Sequence, residues 1–115
     1  MILQTDVQRP APGVAVVRFN GALTLGTSLH AADAQLQKLI GDGAAKVVLN
    51  MAEVPYMDSA GLGVLVQASG LAKQQGGDLR LCGAGDRVAE LIRMTRTDAL
   101  LPMDADEEAS LKALA

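Results

Sequence analysis

Aromatic residues are almost missing from this chain of 115 residues: they make up 2% of it, as Tyr56 and Phe19, and there is no Trp. That leaves no stacking platform for single-stranded nucleic acid and requires an aliphatic core. Cysteine and histidine occur once each, as Cys82 and His30. A disulfide framework and a Cys/His zinc site are both excluded, because tetrahedral zinc takes three or four such ligands, and a reducing, cytoplasmic setting is expected. Positive charge is also in short supply. Ten Lys and Arg face 13 Asp and Glu, for a formal net charge of -3, and the sequence pI is about 4.9. Duplex DNA and anionic membranes are held mainly by clustered cations, so neither is the expected partner. No apolar run approaches the ~18 residues of a membrane span, and the start Met1-Ile2-Leu3-Gln4-Thr5-Asp6 lacks the pattern of a signal peptide.

What is present is a 50% apolar composition, which at this length suits one globular domain. Such a chain buries roughly two-thirds of the surface its unfolded form exposes, enough for one core. Ile2 to Gln8 and Val14 to Phe19 read as two strands, separated by the turn Arg9-Pro10-Ala11-Pro12-Gly13. In the second strand Val14, Val16 and Arg18 share one face and Ala15, Val17 and Phe19 the other. Both faces are largely apolar, which predicts a central position. From Ser28 to Ile40 the residues Leu29, Ala32, Leu36, Leu39 and Ile40 recur at helical spacing. A helix is expected there, stopped by Gly41-Asp42-Gly43 and followed by a buried strand from Ala45 to Met51.

The alternation continues with a helix from Ser59 to Gln74, a strand from Asp78 to Cys82 and a helix from Asp86 to Thr95. Leu100 to Met103 is expected to form a short last strand. Asp106-Glu107-Glu108 heads a terminal helix, with acids where they complement the helix dipole. The sum is an α/β domain whose mixed sheet begins with an antiparallel hairpin and continues by right-handed crossovers.

One junction carries chemical information. In Tyr56-Met57-Asp58-Ser59-Ala60-Gly61-Leu62-Gly63 a buried strand gives way to a helix whose first N–H groups lack partners. Asp58 and Ser59 each offer a short side-chain oxygen that can cap them. Gly61 and Gly63 weaken the helix by about 1 kcal/mol each relative to Ala, which close packing or the approach of a partner would offset. Ala60, Leu62, Val64, Leu65 and Val66 leave almost no polar face in the opening turns.

Other motifs have ordinary readings. Gly83-Ala84-Gly85 lacks the pattern of a phosphate loop, and His30 has no Ser, Asp or Cys at a meaningful spacing. Cys82 ends an apolar strand as an inert buried thiol. Asp104, Asp106, Glu107 and Glu108 read as a solvated helix start, and Arg87, Arg93, Arg96 and Lys112 as a solvated face. Nothing assembles a nucleophile, a base and an oxyanion hole, so a binding protein is expected rather than an enzyme, with no cofactor.

The Asp58-Ser59-Ala60-Gly61-Leu62-Gly63 segment resembles the Asp-Ser-Ser-Gly-Leu-Gly signature of the STAS family, named for sulphate transporters and anti-sigma factor antagonists. The likeness extends over the chain through Phe19-Asn20-Gly21, the Val47 to Met51 strand, Gly76-Gly77 before Leu79-Arg80-Leu81-Cys82, and Glu107-Glu108-Ala109. It implies the STAS fold, with about four helices packed mainly on one face of a mixed sheet. It also implies a switch: family antagonists bind a kinase-type anti-sigma factor, an ATP-using serine kinase, and so free a sigma factor. The kinase reverses this by phosphorylating the serine after the Asp, which is Ser59 here. Asp58, Gly61 and Gly63 would support that site, and Leu23, Thr24, Tyr56, Met57, Ala60 and Leu62 would meet the partner. Tyr56, Met57 and Leu62 are expected as an exposed apolar patch. Kinase-regulated members carry Gly-Glu-Leu-Asp where this chain has Gly21-Ala22-Leu23-Thr24. The family also offers a permanent subunit docked on an ABC-type lipid transporter ATPase, and a module that binds nucleotides or fatty-acyl groups. A monomer or weak homodimer is expected.

Overall fold

The computed structural model describes residues 2–115. Strands β1 (Gln4–Ala11) and β2 (Val14–Asn20) form the hairpin, followed by α1 (Thr27–Gly41), β3 (Lys46–Glu53), α2 (Ser59–Gln74) and β4 (Asp78–Cys82). The chain ends with α3 (Asp86–Met94), β5 (Met103–Asp104) and α4 (Glu107–Leu114). The sheet order is β1-β2-β3-β4-β5. β1 pairs antiparallel with β2, and every later pair is parallel. Parallel neighbours cannot be joined by a tight turn, so each return to the sheet runs through a helix or a longer loop.

Two boundaries differ from expectation. β1 runs past Pro10 to Ala11, with its register broken between Gln8 and Ala11. Proline donates no hydrogen bond, and on an edge strand that loss leaves no partner unsatisfied. The last strand is Met103–Asp104 rather than Leu100 to Met103. Leu100 instead turns its carbonyl to the Ser69 hydroxyl at 2.8 Å, which satisfies a buried side chain, and Leu101 anchors the turn in the core. β2 is paired on both sides, as its two apolar faces require, although the middle strand is β3.

Strand alternation divides the core. Ala15, Val17 and Phe19 of β2, Val47, Leu49 and Met51 of β3, and Leu79 and Leu81 of β4 face the large cluster that holds Leu29 and Leu36 of α1, Leu65 of α2 and Ile92 of α3. Val16, Val48 and Cys82 point the other way, under Leu111 and Leu114 of α4. Three helices therefore cover one face and one covers the other.

The acidic start of α4 is not simply solvated. Glu107 takes a two-pronged contact from Arg18, at 2.7 and 2.9 Å, and a hydrogen bond from Asn50 at 2.6 Å. Asp104 is gripped by Arg80 at 2.7 and 3.0 Å and by the buried Ser110 hydroxyl at 2.7 Å. Asp106 caps the helix by accepting from the Ala109 N–H at 2.9 Å. Only this last role is local in sequence. The other two acids tie α4 to the sheet because the apolar patch beneath it is small, and paired guanidinium–carboxylate contacts add direction to it.

Candidate functional site at the start of α2

Because β2, β3 and β4 run parallel, the segments that leave them meet at one end of the sheet. The segments after β2 and β3 continue to pair beyond the strands. Leu23 N–H donates to the Tyr56 carbonyl at 3.2 Å, Asp58 N–H donates to the Leu23 carbonyl at 3.1 Å, and Leu23 and Met57 form a parallel bridge. This brings residues 21–26 against the first turn of α2.

Asp58 is the N-cap of α2, in extended conformation. Its Oδ1 accepts from the Gly61 N–H at 2.9 Å and its Oδ2 from the Leu25 N–H at 2.9 Å. One oxygen serves the helix and the other holds the preceding crossover segment. The Leu25 and Gly61 N–H groups keep the carboxyl below the usual carboxylate range, since both bonds favour the charged form.

Ser59 is the first residue of α2 and is exposed. Capping falls to Asp58 alone, and among the described residues the Ser59 hydroxyl makes no hydrogen bond to the protein. A helix start is a favourable place for an anion, through its free N–H groups and the positive end of the dipole.

The two early glycines differ. A Cβ on Gly61 would collide with the Leu23 carbonyl oxygen, and also lie 2.9 Å from the Leu23 Cβ. Close approach of the β2–α1 segment therefore demands glycine here. Gly63 has open space where a Cβ would stand. It is exposed one helical turn after Ser59, on the same face.

The expected apolar patch is corrected by burial. Met57 and Leu62 are only 8% and 7% exposed and belong to the large core cluster, as does Leu23. The pairing of Leu23 with Met57 and the crossing of the Leu23 backbone over Gly61 seal these side chains from solvent. Tyr56 remains exposed at 42%, and Leu25, which sequence reading missed, is exposed at 72%. Its signal was faint: one leucine between Thr24 and Gly26, outside any helical or strand period. Ala22, Thr24 and Ala60 are half-buried. An open cleft of ≈ 600 Å³ lies beside Leu25, with Ile2, Thr24 and Ala31 in its walls.

Arg87, in the first turn of α3, places its guanidinium carbon 4.8 Å from the centroid of the Tyr56 ring. His30 is an exposed residue of α1, and Gly83-Ala84-Gly85 forms the turn into α3. Cys82 is fully buried, and loss of solvent pushes its thiol up to about 11.

The STAS domain profile matches residues 7–110. An anti-sigma F factor antagonist of Paenibacillus polymyxa is 28% identical over 114 residues, 99% of this chain and 97% of the relative. Among solved structures, an anti-sigma factor antagonist from Mycobacterium paratuberculosis superposes with a TM-score of 0.81 at 21% identity, covering 97% of this chain and 93% of the other. The Bacillus cell fate determinant SpoIIAA in its phosphorylated form gives 0.76 at 17% identity, covering 96% and 99%. The profile spans nearly the whole chain and takes in both the paired loops and the α2 start. The chain belongs to the STAS domain family.

Proposed function

We propose that the chain is an anti-sigma factor antagonist. It binds a kinase-type anti-sigma factor at the end of the sheet that carries Ser59, frees the sigma factor, and is released when the kinase phosphorylates Ser59. The observation that carries this reading is the division of labour at the α2 start. Asp58 spends both carboxylate oxygens on backbone N–H groups, while Ser59 stands exposed with its hydroxyl uncommitted. The similarity to a named antagonist over almost the full length of both chains supports it.

The electrostatics account for release. Phosphate adds about -1.5 to -2 charges and three acceptor oxygens. The helix start accommodates that anion, so the fold persists. The surface changes instead: Leu25 and Tyr56, exposed apolar residues at this end, gain a strongly hydrated neighbour next to the existing Asp58 charge. A docked partner would have to strip that hydration and face the added charge. The protein acts by binding, not by catalysis, and no described helix is long and apolar enough to cross a membrane. We place its action in the cytoplasm, where the kinase and sigma factor operate.

The test is retention of partners from the native cell extract by the wild-type chain, Ser59→Ala and Ser59→Asp, with bound proteins identified by mass spectrometry. The switch predicts an ATP-binding anti-sigma kinase on the wild type and Ser59→Ala that is lost from Ser59→Asp. Retention of one transporter ATPase by all three would instead mark a permanent subunit, with Ser59 a simple helix residue.

A further inference from the structure

At the end of the sheet that carries Ser59, positive charge comes from a single side chain. Residues 20–28, 53–62 and 83–90, which build this end, contain no Lys or Arg other than Arg87. The same stretch after β2 is uncharged, with Ala22 and Thr24 flanking Leu23. Asp58 has both oxygens committed to backbone N–H groups. Asp86 lies next to Arg87 in the first turn of α3, where its charge complements the helix dipole.

Arg87 is held differently from the two arginines under α4. Arg18 and Arg80 are each locked onto a carboxylate of their own, Glu107 and Asp104. Among the described residues Arg87 has no carboxylate partner and no hydrogen-bond acceptor. Its guanidinium instead lies over the half-exposed Tyr56 ring. Contact with the ring restricts the guanidinium, reduces its hydration on one side, and leaves the N–H groups on its other sides free for an acceptor. A fork held in that way has lost part of the freedom that binding would otherwise cost, and its shape matches a planar carboxylate.

We infer that Tyr56 and Arg87 form a preorganised carboxylate-reading pair, and that the protein docking beside Ser59 presents an Asp or Glu side chain to it. The inference rests on the docking surface proposed above and names the chemistry of the partner at that surface. Arg87 supplies the charge; Tyr56 is the positioning residue. The Gly21-Ala22-Leu23-Thr24 segment is neutral and the other charged side chains of this end, Glu53, Asp58, Asp86 and Glu90, are acidic. Arg87 is therefore the one side chain here that can receive a carboxylate from the partner, and the partner is acidic where it covers Tyr56.

The experiment measures the dissociation constant for the anti-sigma kinase of the same cell by titration calorimetry, with wild-type chain, Ser59→Asp, and variants of the pair. Arg87→Ala is expected to weaken binding at least ~10-fold, as loss of a desolvated charge-assisted contact does. Arg87→Glu weakens it further, and reversal of one acidic residue of the kinase to Arg restores it. Arg87→Lys recovers part of the affinity, because charge remains while the fork is lost. Tyr56→Phe binds like wild type, and Tyr56→Ala weakens binding less in the Arg87→Ala background than in the wild type, since part of what the ring does is done through the guanidinium. Unchanged affinity of Arg87→Glu, with binding still lost in Ser59→Asp, overturns the carboxylate pair and leaves the switch standing. Binding that survives Ser59→Asp but is lost in Arg87→Glu overturns the switch and keeps the pair. A wild-type chain that binds no such kinase overturns both.

Discussion

The Asp58 carboxylate is hydrogen-bonded to the Leu25 N–H at 2.9 Å across 33 positions of sequence. The same group caps α2 through Gly61. Helix start and crossover segment therefore share one anion, and the exposed Leu25 is held beside Ser59 by the residue that precedes it. The segment beside Ser59 is thus tied to the helix by the Asp58 carboxylate as well as by the backbone pairing of Leu23.

Substitution at Asp58 should separate its two duties. Asp58→Ala removes both contacts and is expected to cost ~1–2 kcal/mol, the upper range for loss of an N-cap. Asp58→Asn keeps a carbonyl oxygen for Gly61 but turns an amide toward Leu25, so it should cost less while the Leu25 amide exchanges faster. Urea unfolding and amide hydrogen exchange measure the two effects.

The glycines of the α2 start should respond in opposite directions. Gly61→Ala must push the Leu23 backbone away from the helix, and overpacking against backbone is expected to cost ~1–3 kcal/mol or more. Gly63→Ala meets nothing within 4 Å and should stabilise the helix by ~0.5–1 kcal/mol. Thermal and urea unfolding of the two variants check the signs.

The parts of this structure that sequence reading captured are those set by neighbours in the chain. Leu29, Leu36, Leu39 and Ile40 announce α1 by their spacing, Asp58 announces the α2 cap by its short acceptor, and Val47 to Leu49 announce a buried strand. The parts it missed depend on distant contacts. Met57 and Leu62 look available to a partner until Leu23 is seen paired with Met57 and packed against Gly61, with both side chains in the core. Glu107 looks solvated until Arg18, 89 positions away, is found against it. Leu25 and the Tyr56–Arg87 stack obey no period, and only the meeting of three loops at one sheet end makes them neighbours.

Stability should depend on acid through α4. The hydrogen bond from Arg18, with a further one from Asn50, lowers Glu107 to about 2 from the ordinary 4.5. The folded value lies below the unfolded one, so this contribution is complete above the ordinary carboxylate range and is lost as pH falls through it toward about 2. Asp104 is shifted the same way by Arg80. Glu107→Gln should therefore lower stability near neutral pH and make its decline on acidification shallower. Urea midpoints collected from pH 7 down to pH 2 would show it.

The most direct test of the central claim is to incubate the wild-type chain and Ser59→Ala with the anti-sigma kinase that binds them and with ATP. Intact mass and peptide mapping then locate any phosphate, and calorimetry measures binding of the modified chain. The account predicts one phosphate, on Ser59, none on Ser59→Ala, a modified chain that remains folded, and loss of its affinity for the kinase. A bound kinase that leaves Ser59 unmodified, or a phosphorylated chain that binds as tightly as before, would contradict it.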